Sequence, residues 1–436
     1  MAKTTLIKNA LIVTIDARDR VFDGDLLIED NRIIRLGKRI DLPADEIVNG
    51  ENLIVIPGFI QTHVHLCQAL FRNLADDLAL LDWLQKKIWP FEAAHTAETL
   101  RISARLGLAE MIASGTTTIL DMGTVNHQDV IFEELAQSGI RAFAGKTMMD
   151  NGDLPAGLRE TTDDSLKQSL RLLEKWHNFD NGRLKYALAP RFALSSSERL
   201  LIEAAKMAAD QGVILHSHAA ENREETQLVR DRFGVGNIAL FEKIGAAGPN
   251  LCLAHCIWSD EDERRLLKER DIKVLHCPSA NLKLGSGIAP VPDYLERGVT
   301  VSLGADGAPC NNNMDMFTEM RLAALIQKPL HGPQAMPAGQ VLRMATINGA
   351  RTLGLEDLIG SIESGKLADL TFIRKNEIHS SPFENVYSKL VYSTRASDVE
   401  HVMINGKWVM KDRFLLTIES DKLPEMATKA ISQFQI

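Results

Sequence analysis

The sequence holds no Cys-x-x-Cys, and its 436 residues contain only five cysteines: Cys67, Cys252, Cys256, Cys277 and Cys310. An odd set of that kind excludes a disulfide framework and a zinc ribbon, and fits reduced, buried thiols. No Gly-x-Gly-x-x-Gly follows any apolar run, so the usual signature of a dinucleotide-binding open sheet is missing. Apolar runs stay well short of the roughly 20 residues a spanning helix needs, and no membrane segment is expected. Basic residues are neither in excess nor clustered: 49 Lys and Arg stand against 58 Asp and Glu, a net charge of −9. Nucleic acid and anionic membrane are therefore not expected as partners. The first residues, Met1-Ala2-Lys3-Thr4-Thr5, lack the apolar core and small-residue cleavage site of a secretion signal, so a cytoplasmic location is expected. Sequence repeats and low-complexity tracts are also missing. What is present is an ordinary globular composition, 45% hydrophobic and 25% charged, long enough for one large domain and a smaller companion.

Short runs of branched apolar residues alternate with longer amphipathic stretches. The runs are 53–59, 116–122, 140–149, 184–190, 213–218, 251–255, 272–276 and 299–306. Helical patterns fill the gaps, among them 97–114, 164–178, 196–211 and 260–270, with Asp or Ser where an N-cap is useful. Alternation of this kind implies a parallel sheet, and eight repeats imply closure into an α/β fold of the (β/α)8, TIM-like barrel type. A doubly wound open sheet is the structural rival. The two chain ends have a different texture of short alternating strands, with Asn405-Gly406 as a hairpin turn. Neither end has enough strands to fold alone, so they are expected to meet as one small β-sandwich domain. The expected division is 1–57 and 356–436 for that domain, with a terminal helix over 422–434, and 58–355 for the barrel.

Barrels of this class build their sites at the C-terminal ends of the strands. His63 and His65 follow the first run, His216 and His218 close the fifth, His255 the sixth, His276 the seventh and Asp306 the eighth. In an extended chain residues i and i+2 point to one side, so each His-x-His can aim two imidazoles at one point. One such histidine is more often a hydrogen-bonded core residue. Six histidines and an aspartate at strand ends of one barrel point to a shared divalent metal site.

The stretches that carry these residues resemble the amidohydrolase superfamily, in its branch of cytosine, guanine, adenosine-type and s-triazine hydrolases. They are Pro57-Gly58-Phe59-Ile60-Gln61-Thr62-His63-Val64-His65, Gly115-Thr116-Thr117-Thr118, His216-Ser217-His218-Ala219-Ala220-Glu221, Leu253-Ala254-His255, Ser279-Ala280-Asn281-Leu282-Lys283-Leu284 and Gly304-Ala305-Asp306-Gly307. The resemblance covers almost the whole chain and implies one zinc, with iron as the alternative, held by His63, His65, His218 and Asp306. Binuclear relatives bridge their metals with a lysine at the end of the fourth strand; here that run ends Ala189-Pro190-Arg191, and an always-charged guanidinium does not fill the role. The resemblance further implies a hydrolytic deaminase in which Asp306 accepts the water's proton, Glu221 acts as general acid and base, and His255 acts electrostatically. Residues 221–230 can also begin a helix, where Glu221 would serve the macrodipole instead.

For the substrate, the resemblance points two ways. Gln68 and Arg191 look like the pair with which guanine deaminases hold the base. Trp83, Glu92 and the stretch Asn311-Asn312-Asn313-Met314-Asp315-Met316 look like deaminases of adenosine, 5'-deoxyadenosine, methylthioadenosine and S-adenosylhomocysteine, which usually have histidine where Arg191 stands. Lys146, at the end of the third strand, and His276, closing the seventh run, are further candidate contacts. Trp83 reads equally as helix core, Glu92 as a helix cap and Lys146 as a surface residue. The expected partner is a small purine or nucleoside, with guanine or an s-triazine as alternatives, and a homo-oligomer is expected by analogy with relatives.

Overall fold

The computed structural model describes residues 3–434. Eight parallel strands form the larger unit: β1 (Phe59–Val64), β2 (Thr116–Met122), β3 (Arg141–Gly145), β4 (Leu184–Pro190), β5 (Ile214–Ala219), β6 (Leu251–His255), β7 (Lys273–His276) and β8 (Val301–Leu303). They pair in sequence order, with the two-residue strand Thr147–Met148 extending β3 alongside β4. The ring closes between its first and last members. A parallel bridge joins Val64 to Asp306, the Asp306 amide donates to the His63 carbonyl at 3.0 Å, and Thr62 Oγ1 donates to the Leu303 carbonyl at 3.0 Å.

Counting the run 53–59 as the first barrel strand, against the expected division after residue 57, is in error. Residues 53–59 are not one barrel strand: Leu53–Pro57 belongs to the small domain, where it runs antiparallel to Leu370–Arg374, and the barrel begins at Phe59. The switch falls at Gly58, where an added Cβ would lie 2.1 Å from Thr117 Cγ2. Two buried strands separated by one glycine give a single apolar run, which periodicity cannot divide.

The remaining expected elements lie near their sequence signals. The helices Ala97–Ala113, Thr162–Trp176, Glu198–Gln211 and Glu261–Glu269 begin after the side-chain caps Thr96, Thr161, Ser197 and Asp260. The chain ends join in one mixed sheet, ordered Phe414–Leu415, Lys407–Lys411, Val399–Ile404, Leu370–Arg374, Leu53–Pro57, Thr4–Val13, Val21–Glu29 and Arg32–Gly37. It branches at Thr4–Val13, which also pairs with Glu46–Asn49. Asn405 and Gly406 turn between two of its strands with φ of 52° and 73°, the left-handed conformation a tight hairpin needs. The final helix is Leu423–Ile431. All five cysteines are buried and unpaired, and no helix among the described residues is long and apolar enough to cross a membrane.

Candidate metal centre and active site

The barrel brings His63, His65, His218 and Asp306 together at the C-terminal ends of β1, β5 and β8, with one ligand atom from each within 4.8 Å of the others. His63 Nε2 and His65 Nε2 both lie 3.4 Å from Asp306 Oδ1, and His65 Nε2 lies 3.3 Å from His218 Nε2. Tautomers follow from the partners. His65 Nδ1 faces the Met122 carbonyl at 2.9 Å and His218 Nδ1 the Arg191 carbonyl at 2.7 Å. A carbonyl only accepts, so both rings carry their proton on Nδ1 and turn an Nε2 lone pair to the centre.

Two lone pairs facing each other at 3.3 Å repel unless a cation lies between them. Bonds of about 2.0–2.1 Å in a tetrahedral zinc site put ligand atoms roughly 3.3–3.4 Å apart, the spacing seen here. The buried His63 Nε2 has no hydrogen-bond partner of its own. Donor set, spacing and tautomers fit one divalent cation.

Beside this cluster, Glu221 and His255 form the second half of the site. Glu221 Oε2 lies 3.4 Å from His255 Nε2, which is 3.8 Å from Asp306 Oδ2. His255 Nδ1 donates to Asn281 Oδ1 at 2.8 Å, so its Nε2 also faces the centre as a lone pair. Burial, then the negative charge of Asp306, push the Glu221 carboxyl well above its ordinary value. Burial opposes ionisation of Asp306 too, but the surrounding imidazoles of His63, His255 and His65 hold it well below the usual carboxylate range. The helix that follows is Arg223–Phe233, capped by Asn222 and Glu225, so Glu221 stands before it and is free of that duty. Left-handed φ values at Ala220, His255 and Asp306, of 52°, 71° and 62°, turn the chain at three strand ends. Such conformations cost about 1–3 kcal/mol each outside glycine and cluster where a site dictates them.

A cavity opens onto these groups and is also lined by Gln68, Leu80, Trp83, Leu84, Arg191, Phe192 and Leu284. Glu92 lies behind it, buried, accepting from Gln68 Nε2 at 2.8 Å and from Arg191 Nη1 at 2.6 Å. The three expected substrate contacts are thus tied to one another. Trp83 ends the helix Leu80–Trp83, and its buried indole N–H has no partner. Two further expected contacts, besides Glu92, lie off the cavity. Lys146 is buried in an ion pair with Glu160 and donates to the Thr147 carbonyl at 3.0 Å. His276 is enclosed with neither ring nitrogen bonded.

Several contributors escaped the sequence reading. Asn281 orients His255, and Asp121 accepts the Leu66 amide at 2.8 Å, fixing the turn after His65. Burial pushes the Asp121 carboxyl up to about 7. The acid closing the second apolar run was a signal for Asp121; the cavity walls Leu80, Leu84, Phe192 and Leu284 had none.

An eight-stranded barrel that converges three histidines and an aspartate beside a buried carboxyl group defines a class, the barrel hydrolases built around a divalent cation. The chain belongs to the amidohydrolase family, whose description matches residues 54–409. It is 39% identical over 412 residues to the 5-methylthioadenosine/S-adenosylhomocysteine deaminase of Thermococcus onnurineus, covering 94% of this chain and 95% of that one. It is also 39% identical to the 5'-deoxyadenosine deaminase of Methanothermobacter thermautotrophicus, over 94% of both chains. Among solved structures, an adenosine deaminase from Xanthomonas campestris with bound zinc superimposes with a TM-score of 0.93 at 29% identity, covering 99% of this chain and 98% of that one.

Proposed function

We propose that the protein is a metal-dependent hydrolytic deaminase of a purine nucleoside of the adenosine, 5'-deoxyadenosine, methylthioadenosine or S-adenosylhomocysteine type, releasing ammonia. The observation that carries the reading is Glu221, a buried carboxyl with Oε2 3.4 Å from His255 Nε2 and beside the four-ligand cluster, where burial favours its protonated form. The printed activities of the curated relatives support the same substrate class. A cation bound by His63, His65, His218 and Asp306 would supply an acidified water, its pKa drawn towards roughly 7, and an electrophilic centre.

The remaining chemistry belongs to the chain. Asp306, kept ionised, takes the proton released as the water attacks. Glu221 gives its proton to the ring nitrogen beside the amino-bearing carbon, then takes the proton of the added hydroxyl as the carbonyl forms and delivers it to the departing amine. His255 accepts a hydrogen bond from the attacking water at Nε2 and steers it. Trp83, Phe192 and Leu284 keep bulk water from the reacting ring.

A guanine-type base is the second reading, favoured by the chain Gln68–Glu92–Arg191 at the cavity wall. Glu221 weighs against an s-triazine chlorohydrolase, because chloride leaves without a proton whereas ammonia needs one. The proposal includes zinc as the cation, supported by the zinc-bound relative, with iron as the alternative. It also includes a cytoplasmic location, supported by five unpaired thiols, and a homo-oligomeric state, which rests on analogy. The test is an ammonia-release screen of the metal-loaded protein over adenosine, 5'-deoxyadenosine, methylthioadenosine, S-adenosylhomocysteine, guanine, cytosine and melamine. Turnover of the adenosine group supports the first reading. Turnover of guanine alone transfers the assignment to the second, and atrazine dechlorination with none of these turned over overturns both.

A further inference from the structure

His216 is fully buried on β5, two residues before His218 and on the same face, yet the ligand set has no use for it. Its Nε2 lies 2.8 Å from His63 Nδ1, and its own Nδ1 has no partner. This makes His63 unlike its neighbours. The outer nitrogens of His65 and His218 are held by backbone carbonyls, which fix one tautomer. A second imidazole can either donate or accept, so the His63–His216 pair has two arrangements. In one, His216 Nε2–H donates to His63 Nδ1, and the His63 proton sits on Nε2, 3.4 Å from Asp306 Oδ1. In the other, His63 Nδ1–H donates to His216 Nε2, the His216 proton moves to its unpartnered Nδ1, and His63 Nε2 is left as a lone pair. Each ring holds one proton throughout, so the exchange is neutral. Only the second arrangement ligates a cation.

We propose that His216 is a positioning residue for the metal centre: its Nε2 accepts from His63 Nδ1 and commits His63 Nε2 to the cation. A buried N–H without an acceptor costs stability, so a purely structural histidine gains nothing from the arrangement. Groups that hold a ligating imidazole by its outer nitrogen typically alter metal affinity about 10–100-fold when removed. The inference rests on the metal-centre part of the proposed function and is independent of the substrate.

The test is zinc affinity by chelator competition, with the visible spectrum of the cobalt-substituted protein as a second readout, for the parent, His216→Leu and His216→Gln. The Gln side-chain carbonyl can accept where Nε2 did. The expected result is about 10–100-fold weaker binding and an altered cobalt spectrum in His216→Leu, with most of both recovered in His216→Gln. Affinity within twofold of the parent in His216→Leu overturns the proposal. Equal weakening in both variants also overturns it, by making ring packing the cause. If His216→Leu does not fold, nitrogen-15 spectra of histidine-labelled, zinc-loaded parent decide: a His216 that carries its proton on Nδ1 and accepts at Nε2 from His63 supports the proposal, and a His216 protonated on Nε2 overturns it. A parent that binds no zinc would instead remove the metal-centre reading itself.

Discussion

Glu221 and Glu225 stand four residues apart around one helix start, both buried, and serve different ends. Glu225 Oε2 accepts the Glu221 amide at 2.8 Å and the Asn222 amide at 3.3 Å, so its carboxylate holds the turn that aims its neighbour. Glu221 is left for chemistry. Glu221→Gln keeps the shape and removes the transferable proton, so kcat should fall about 10²–10⁴-fold, with metal content by elemental analysis unchanged. A loss of metal alongside activity would assign Glu221 to the ligand set instead. His276 makes a pH-dependent prediction. Burial, then the charge of His255, depress it from its ordinary 6.5 to about 3. The unfolded chain therefore binds this proton at a higher pH than the folded one, and the contribution present above about 6.5 is lost as pH falls towards 3. Replacing it with leucine removes that loss. The melting temperature of His276→Leu relative to the parent should rise between pH 7 and pH 5, which thermal unfolding at the two pH values measures. At this scale the sequence was informative where chemistry repeats along the chain, as in His63, His65, His218 and Asp306. It gave no partner for Asn281 or for His216, since their contacts with His255 and His63 join residues 26 and 153 positions apart.

At the scale of elements, helices were easier to read than the barrel's first strand. Thr96, Thr161, Ser197 and Asp260 each mark a helix start with a side chain that accepts a backbone N–H. Hydrophobic burial on both faces leaves a strand without alternation, and the run 53–59 merged two of them for that reason. The consequence is functional. Had Leu53–Pro57 been the first barrel strand, His63 would lie six residues past its end; with Phe59–Val64 in that role, His63 is within the strand and its carbonyl helps close the barrel. The seam between β8 and β1 tolerates no side chain at Gly304, where a Cβ would come within 2.6 Å of the His63 carbonyl oxygen and 2.9 Å of His63 Cβ. Gly304→Ala should therefore weaken zinc binding at least tenfold by displacing His63, at a stability cost of about 1–3 kcal/mol. Chelator competition and denaturant unfolding measure the two effects separately, and unchanged zinc affinity would show that the seam and the ligand are independent.

Across the whole molecule, the small sheet is more than a terminal addition, because it shares a buried ion pair with the barrel. Arg141, the first residue of β3, bonds Asp369 through Nε at 2.8 Å and Nη2 at 3.2 Å. The Asp369 carboxylate also accepts the Asn405 amide at 2.7 Å, and its carbonyl accepts the Gly58 amide at 2.9 Å, where the chain passes into the barrel. Removing one member of a buried pair leaves a charge without compensation, so Arg141→Met should cost about 3–5 kcal/mol. If the two units unfold together, one denaturation transition shifts by that amount; two separated transitions would show them to be independent. The site lies at the opposite end of the strands from this contact, so activity below the transition should be preserved. Alternating runs and strand-end polar residues carried most of the architecture and the proposed metal ligands. The proposed substrate contacts were less legible, since Glu92, Gln68 and Arg191 meet only when positions 99 and 24 residues apart in the chain fold together. The most direct test of a cation-dependent deaminase at this site is ammonia release from methylthioadenosine and 5'-deoxyadenosine during zinc titration of metal-stripped protein. The account expects no release without metal, and activity that rises in proportion to bound zinc and saturates at one ion per chain. Equal release by the stripped and loaded protein, or none from any purine or nucleoside by folded, zinc-loaded protein, would contradict it.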